Sequence, residues 1–132
     1  MLVDTSVLLA SINSRDPAHV PCAALLINEE WVLPEPVIVE LDHMLRARNL
    51  NRAAFAELAR SIEAGAVSFE ALASSDFSRI HELYVQYAQV DFVDIAIVAL
   101  AERLKETTIA TLDHRDFRII RPNHIPAFNL VP

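Results

Sequence analysis

The chain has a single glycine, Gly65, among 132 residues. With one glycine, neither a P-loop nor a dinucleotide-binding fingerprint can be built. No serine sits in a glycine-flanked nucleophile turn. Turns at positive φ should be scarce, which favours helices. There is also a single cysteine, Cys22, so no internal disulfide can form. That agrees with a reducing compartment. Cys22 lies in an apolar stretch and is expected to be buried and inert. No apolar run reaches the length of a membrane span. Met1 leads straight into an apolar run, with no basic region or cleavage site of a signal peptide. The expectation is a mature, cytoplasmic chain with no membrane contact. Lysine is nearly missing too: Lys105 is the only one, and the other basic residues are arginines. The net charge of −7 argues against nonspecific binding to nucleic acid. A bound divalent cation would change the local sign without changing this balance.

What is present is a hydrophobic chain, 53% apolar, long enough for one real core. Residues 1–132 are expected to form one domain, without repeats or linkers. Met1 to Val3 reads as a buried strand, stopped by Asp4. Ser6 to Ile12 reads as a short apolar helix. Asp16 and Pro17 look like the N-cap and first residue of the next helix, which Pro21 should delay or distort. Trp31 to Leu33 is a second strand, closed by Pro34. Pro36 opens a helix with Val37, Leu41, Met44 and Leu45 on one stripe. Glu40 borders that stripe, where a carboxylate needs a partner or a cation. Asn51 is expected to cap a helix with Phe55, Leu58, Ala59 and Ile62 inward, ended by Gly65. Ala66 to Phe69 is a third strand. Ser75 or Asp76 caps a helix carrying Phe77, Ile80, Leu83, Tyr84 and Tyr87. Ile95 to Ala101 is apolar nearly all round and reads as a buried helix. A strand running to Thr111, a short turn, and an edge strand from Phe128 to Val131 complete the chain. Alternating strands and helices predict an α/β fold with a parallel sheet.

Four carboxylates stand at the ends of these elements. Asp4 and Asp113 end or follow strands, Glu40 lies early in one helix, and Asp94 starts the buried one. Ligands in open parallel sheets bind beyond the carboxyl ends of the strands. Hard cations such as Mg²⁺ take oxygen ligands, and metal-assisted phosphodiester cleavage needs such a cluster. Thr5, Ser6 and Thr111 could orient the carboxylates by hydrogen bonds. Plainer roles stay open for each. Asp91 and Asp94 sit like N-cap and N3 residues. Asp4 could cap its helix, Glu40 could pair with an arginine, and Asp113 and Asp116 could be turn residues. The five histidines show no zinc-ligand spacing and are expected to be surface or packing residues.

Four segments carry a family resemblance: Val3-Asp4-Thr5-Ser6-Val7-Leu8; Val39-Glu40-Leu41-Asp42; Asp91-Phe92-Val93-Asp94-Ile95-Ala96 with Ala99-Leu100-Ala101-Glu102-Arg103-Leu104; and Ile109-Ala110-Thr111-Leu112-Asp113-His114-Arg115-Asp116-Phe117. In this order and spacing the chain resembles the PIN-domain ribonucleases, and among them the VapC-type toxins of bacterial toxin–antitoxin pairs. Ile95 stands where the family usually has a small residue. The resemblance implies a PIN-like three-layer fold, with a central parallel sheet in strand order 3-2-1-4-5 flanked by helices. It implies Mg²⁺- or Mn²⁺-dependent hydrolysis of RNA. Its metal-binding acids fall on Asp4, Glu40, Asp94 and Asp113, its hydroxyl positions on Ser6 and Thr111, and a further acid on Asp116. Asp91 lies outside that set. It also implies a homodimer, silenced by a VapB-type antitoxin that covers the active-site groove. Arg46, Arg48 and Arg52, and Arg115, Arg118 and Arg121, could steer RNA phosphates.

Three other readings compete. One is a PIN-domain nuclease with a housekeeping RNA or DNA substrate. Another is a receiver or aspartate phosphatase on a similar scaffold. A phosphatase needs a second Asp two residues after the first, and that position is Ser6. A receiver needs a central Asp on the third strand, where Ser68 and Glu70 stand instead. The last is a binding module with a vestigial site, which the presence of all four acids opposes.

Overall fold

In the computed structural model the described residues are 1–50 and 52–132. The expected helix cap at Asn51 lies outside them. The elements run β1 (Leu2–Val3), α1 (Thr5–Ile12), α2 (His19–Asn28), β2 (Val32–Pro34), α3 (Glu35–Ala47), α4 (Ala53–Glu63), β3 (Ser68–Glu70), α5 (Asp76–Gln86), α6 (Phe92–Leu104), β4 (Thr108–Ala110), α7 (His114–Ile119) and β5 (Asn129–Val131). All strand pairs are parallel, in the order β3-β2-β1-β4-β5. This is the expected order, and helices flank the sheet. The chain leaves β1 toward β2 on one side, while β4 lies on the other. The order therefore reverses at β1, and a crevice opens between the carboxyl ends of β1 and β4. Leu2 pairs with Ile109 and Val3 with Ala110, so Asp4 and Thr111 leave the sheet side by side. The Asp4 amide donates to the Ala110 carbonyl at 2.9 Å, which fixes this register.

The core is built around α6. Every residue from Ile95 to Ala101 is buried, as its all-round apolar sequence requires. It packs against α3 and α5. α3 turns Val37, Leu41 and Leu45 inward, while Met44 is only half-buried. Truncating Leu41 or Leu100, both fully buried, would cost about 2–5 kcal/mol. Cys22 is buried, as expected.

Several boundaries differ from the sequence reading. The second helix starts at His19, and Asp16 instead holds the preceding turn by accepting from the Ala18 amide. Pro21 sits in the first turn of that helix, where its missing N–H costs nothing. The third strand lies at Ser68–Glu70 rather than starting at Ala66. Residues 64–67 are taken up by the helix end instead: the Gly65 amide reaches Ile62 and that of Ala66 reaches Ser61, with Gly65 at φ 70°. Ala59 faces outward, and no residue of α4 is fully buried. Phe77 and Tyr84 are exposed, whereas Ile80, Leu83 and Tyr87 are buried in the core. Ser75 makes no side-chain cap, while Asp76 accepts from the Ala73 amide. A short helix, α7, occupies what reads in the sequence as a turn. Its six residues carry too little periodicity to announce it. Left-handed backbone also occurs without glycine, at Asn49 and Lys105. Among the described residues no helix is long and apolar enough to cross a membrane.

Candidate active site

The crevice at the carboxyl ends of β1 and β4 is a cavity of about 230 Å³. Six carboxylates line it: Asp4, Glu40, Asp91, Asp94, Asp113 and Asp116, with Arg48 and Arg115 on the wall. All four acids singled out in the sequence thus converge.

Asp4 is the most tightly held. It is the N-cap of α1, and its carboxylate accepts from the Thr5 amide at 2.6 Å. The other oxygen accepts from Ser6 Oγ at 2.6 Å and from Thr111 Oγ1 at 2.8 Å. Capping and site-lining are therefore one role, not alternatives. Ser6 Oγ in turn accepts from the Leu112 amide at 2.9 Å, tying the loop after β4 to α1. Thr5 bridges two acids, since its hydroxyl donates to Glu40 Oε2. The expected orienting hydroxyls are thus all engaged.

Asp94 is the opposite case. It lies in the first turn of α6 and accepts no hydrogen bond from a side chain or loop among the described residues. Its pKa is pushed up to about 8, first by burial and then by Asp4, Asp116, Glu40 and Asp113. Like charges crowded in a dry site disfavour the ionised form. A bound cation would reverse that preference.

The expected cap at Asp91 needs correction. The residue occupies the N-cap position, but its side chain makes no cap hydrogen bond. It is exposed and faces the cavity. Asp113 does cap α7, accepting from the Arg115 amide at 3.2 Å. One turn on, Asp116 is 3% exposed, deeper than its secondary place in the sequence reading suggested. Arg115 holds it, with Nε at 2.9 Å and Nη2 at 3.4 Å from its two oxygens. Arg46, Arg52, Arg118 and Arg121 do not line the cavity. Arg46 and Arg52 pair with Asp42 instead. No histidine lines it either.

The donor set is all oxygen, negative and partly desolvated, which suits a hard divalent cation. Among the described residues, however, no group of three or more His, Cys, Asp or Glu side chains is arranged so that it could hold a metal ion as it stands.

Residues 1–121 match the profile of the PIN domain. The chain belongs to the PIN domain family. Over its whole length it is 29% identical to Ribonuclease VapC26 of Mycobacterium tuberculosis, which it also covers completely. Its fold is similar to the crystal structure of M. tuberculosis VapC20, titled a Sarcin-Ricin loop cleaving toxin. That match has a TM-score of 0.78 at 23% identity and covers 95% of this chain and 98% of the other.

Proposed function

We propose that this PIN domain is a Mg²⁺- or Mn²⁺-dependent endoribonuclease acting in the cytoplasm as the toxin of a type II toxin–antitoxin pair. The observation that carries the reading is Asp94, a carboxylate pushed up to about 8 by burial and four neighbouring acids. Such a site gathers more carboxylates than the protein supplies arginines to pair with them. The full-length similarity to a VapC ribonuclease supports RNA as the substrate.

Asp4, Glu40 and Asp94 would hold the cation, with Asp113 and Asp116 at its edge. When bound, a divalent ion supplies an activated water and neutralises charge building on the phosphate. Ser6 and Thr111 keep Asp4 in one orientation. Thr5 does the same for Glu40. Asp94, pushed up to about 8, would give up its proton to solvent where it helped to hold a cation. Arg115 holds Asp116 in place at the cavity wall.

We infer that the chain pairs with itself and is silenced by a VapB-type antitoxin over the cavity. An apolar groove of about 680 Å³ adjoins the cavity, sharing Glu40 and Val93 with it. Val39, Phe77 and Phe92 stand exposed in it, an apolar patch of the kind protein partners cover. Light scattering should give a dimer mass, and Phe92→Glu should lower it; a monomer at all concentrations contradicts the pairing.

The activity test is direct. Purified protein should cut single-stranded RNA with Mn²⁺ or Mg²⁺, and stop with EDTA. Cutting of matched single-stranded DNA at an equal rate would favour the housekeeping reading. Undiminished RNA cleavage after full chelation would remove the metal mechanism.

A further inference from the structure

We propose that Arg48 is the residue by which this site binds a backbone phosphate of its single-stranded RNA. The inference rests on the ribonuclease reading above and names a contact for it. Glu40, Met44 and Arg48 follow one another at four-residue steps, so they share one face near the end of α3. All three line the acid cavity. Arg46 and Arg52 look equivalent to Arg48 in the sequence, but both are spent on Asp42, outside the cavity. Arg115, the other cation on the wall, is engaged with Asp116. Arg48 alone of the two wall cations carries no ion pair among the described residues, although six carboxylates line the same cavity.

That combination is chemically pointed. An exposed guanidinium beside six acids could satisfy itself by folding onto one of them, and it does not. Its planar fork presents two-point donors that match a phosphodiester's oxygens. The chain as a whole carries −7 and repels a polyanion at long range. RNA must therefore be held by local cations next to the acids. Arg48 is the one in place for the phosphate flanking the scissile bond. A plainer role exists: Arg48 closes the C-terminal end of α3, where a cation suits the helix dipole. The two roles separate in their response to salt.

The experiment measures binding apart from cleavage. Asp94→Asn protein, at a fixed low Mg²⁺ concentration, is titrated against a short mixed-sequence single-stranded RNA while KCl is varied. Adding Arg48→Gln should weaken binding about tenfold, the size of one charged hydrogen-bonded contact. It should also lower the slope of log K against log salt by about 0.7, the value for one phosphate contact on a single strand. Arg48→Lys keeps the charge and should keep the slope while losing part of the affinity. Arg46→Gln should change neither. In otherwise wild-type protein, Arg48→Gln should raise KM and leave kcat near its original value. Binding that persists with an unchanged slope in Arg48→Gln overturns the Arg48 assignment alone. A parent protein that binds no RNA overturns the ribonuclease reading and the assignment with it. If Arg48→Gln melts well below its parent, the Lys variant decides: a lost slope there, in folded protein, also overturns the assignment.

Discussion

Helix α6 has a carboxylate cluster at each end, and the two are built in opposite ways. At its C-terminal end, Glu102 and Asp76 meet arginines. Arg79 Nε lies 2.8 Å from Glu102, and Arg103 Nε lies 2.8 Å from Asp76, with Glu70 at 2.6 Å on the same guanidinium. Hydrogen bonds to those carboxylates raise the pKa of both arginines. At the N-terminal end, Asp4, Glu40, Asp94, Asp113 and Asp116 gather with only Arg115 paired among them. The first cluster is neutralised by the protein and joins β3, α5 and α6. The second gathers more carboxylates than paired arginines and faces an opening. A count of acidic residues does not separate them; the presence of arginine partners does. An acid cluster without them is either strained or waiting for a cation.

The largest effect in this comparison should come from Asp94→Asn. It should lower RNA cleavage by more than about a hundredfold, since several kcal/mol of metal-derived stabilisation depend on the site. The metal-free variant should also differ from wild type in its response to pH. Asp94 has a folded pKa of about 8, above its ordinary 3.8. Between those values the folded protein holds this proton more tightly than the unfolded chain. Its stabilising contribution is full below about pH 4 and is lost as the pH rises through about 8. In EDTA, wild type should therefore lose melting temperature across that window. Asp94→Asn should not lose that part, and at pH 8 it should melt higher. A lower melting temperature for the variant at pH 8 would mark Asp94 as structural.

Removing the donors behind Asp4 should cost less. Ser6→Ala and Thr111→Val each delete one hydrogen bond to its carboxylate. Each should lower metal affinity about 10–100-fold, the usual result when a residue orienting a ligand is lost. Metal titration followed by tryptophan fluorescence or calorimetry would measure it; unchanged affinity in both would dissolve the claim that Asp4 is held ready.

Legibility in the sequence followed burial. The sheet order was legible only through the PIN resemblance, and the fully buried α6 because Ile95 to Ala101 is a continuous apolar run. That Asp4, Glu40, Asp94 and Asp113 share one cavity was legible because Asp4, Asp94 and Asp113 border apolar runs and because four segments match the PIN pattern. What failed was decided by surroundings. Asp116 read as a turn residue, since α7 is too short to show a period. Asp91 read as a cap, since position alone cannot say which way a side chain turns. Arg48 could not be told from Arg46 until Asp42 was seen to take the latter. Phe77 and Tyr84 have the spacing of core residues but lie on an exposed face of α5.

At the opposite end of α6, Arg103→Gln should change stability and leave chemistry alone. Asp76 is buried and Arg103 partly exposed, with side chains at 4% and 31%. Discounting for that exposure, the loss should be about 1–2 kcal/mol in a denaturant titration. Cleavage per folded molecule should stay at the wild-type level, and a collapse in activity would show that the two clusters are coupled.

The smallest effect should belong to Asp91→Ala. With no cap hydrogen bond to lose, its stability should fall by less than about 0.5 kcal/mol, below the usual range for a lost cap. Its activity should fall only modestly through the changed charge of the cavity rim. A stability loss of about 1 kcal/mol or more would restore the cap that the geometry denies.

The central claim, that the acid cavity of this PIN domain is a cation site gated by the Asp94 proton, is tested most directly by calorimetric titration of Mn²⁺ at pH 7 in buffers of different ionisation enthalpy. With Asp94 near 8, binding should release close to one proton per ion. That release should vanish in Asp94→Asn, along with most of the affinity. Mn²⁺ that binds both proteins equally well and displaces no proton from wild type would contradict the account.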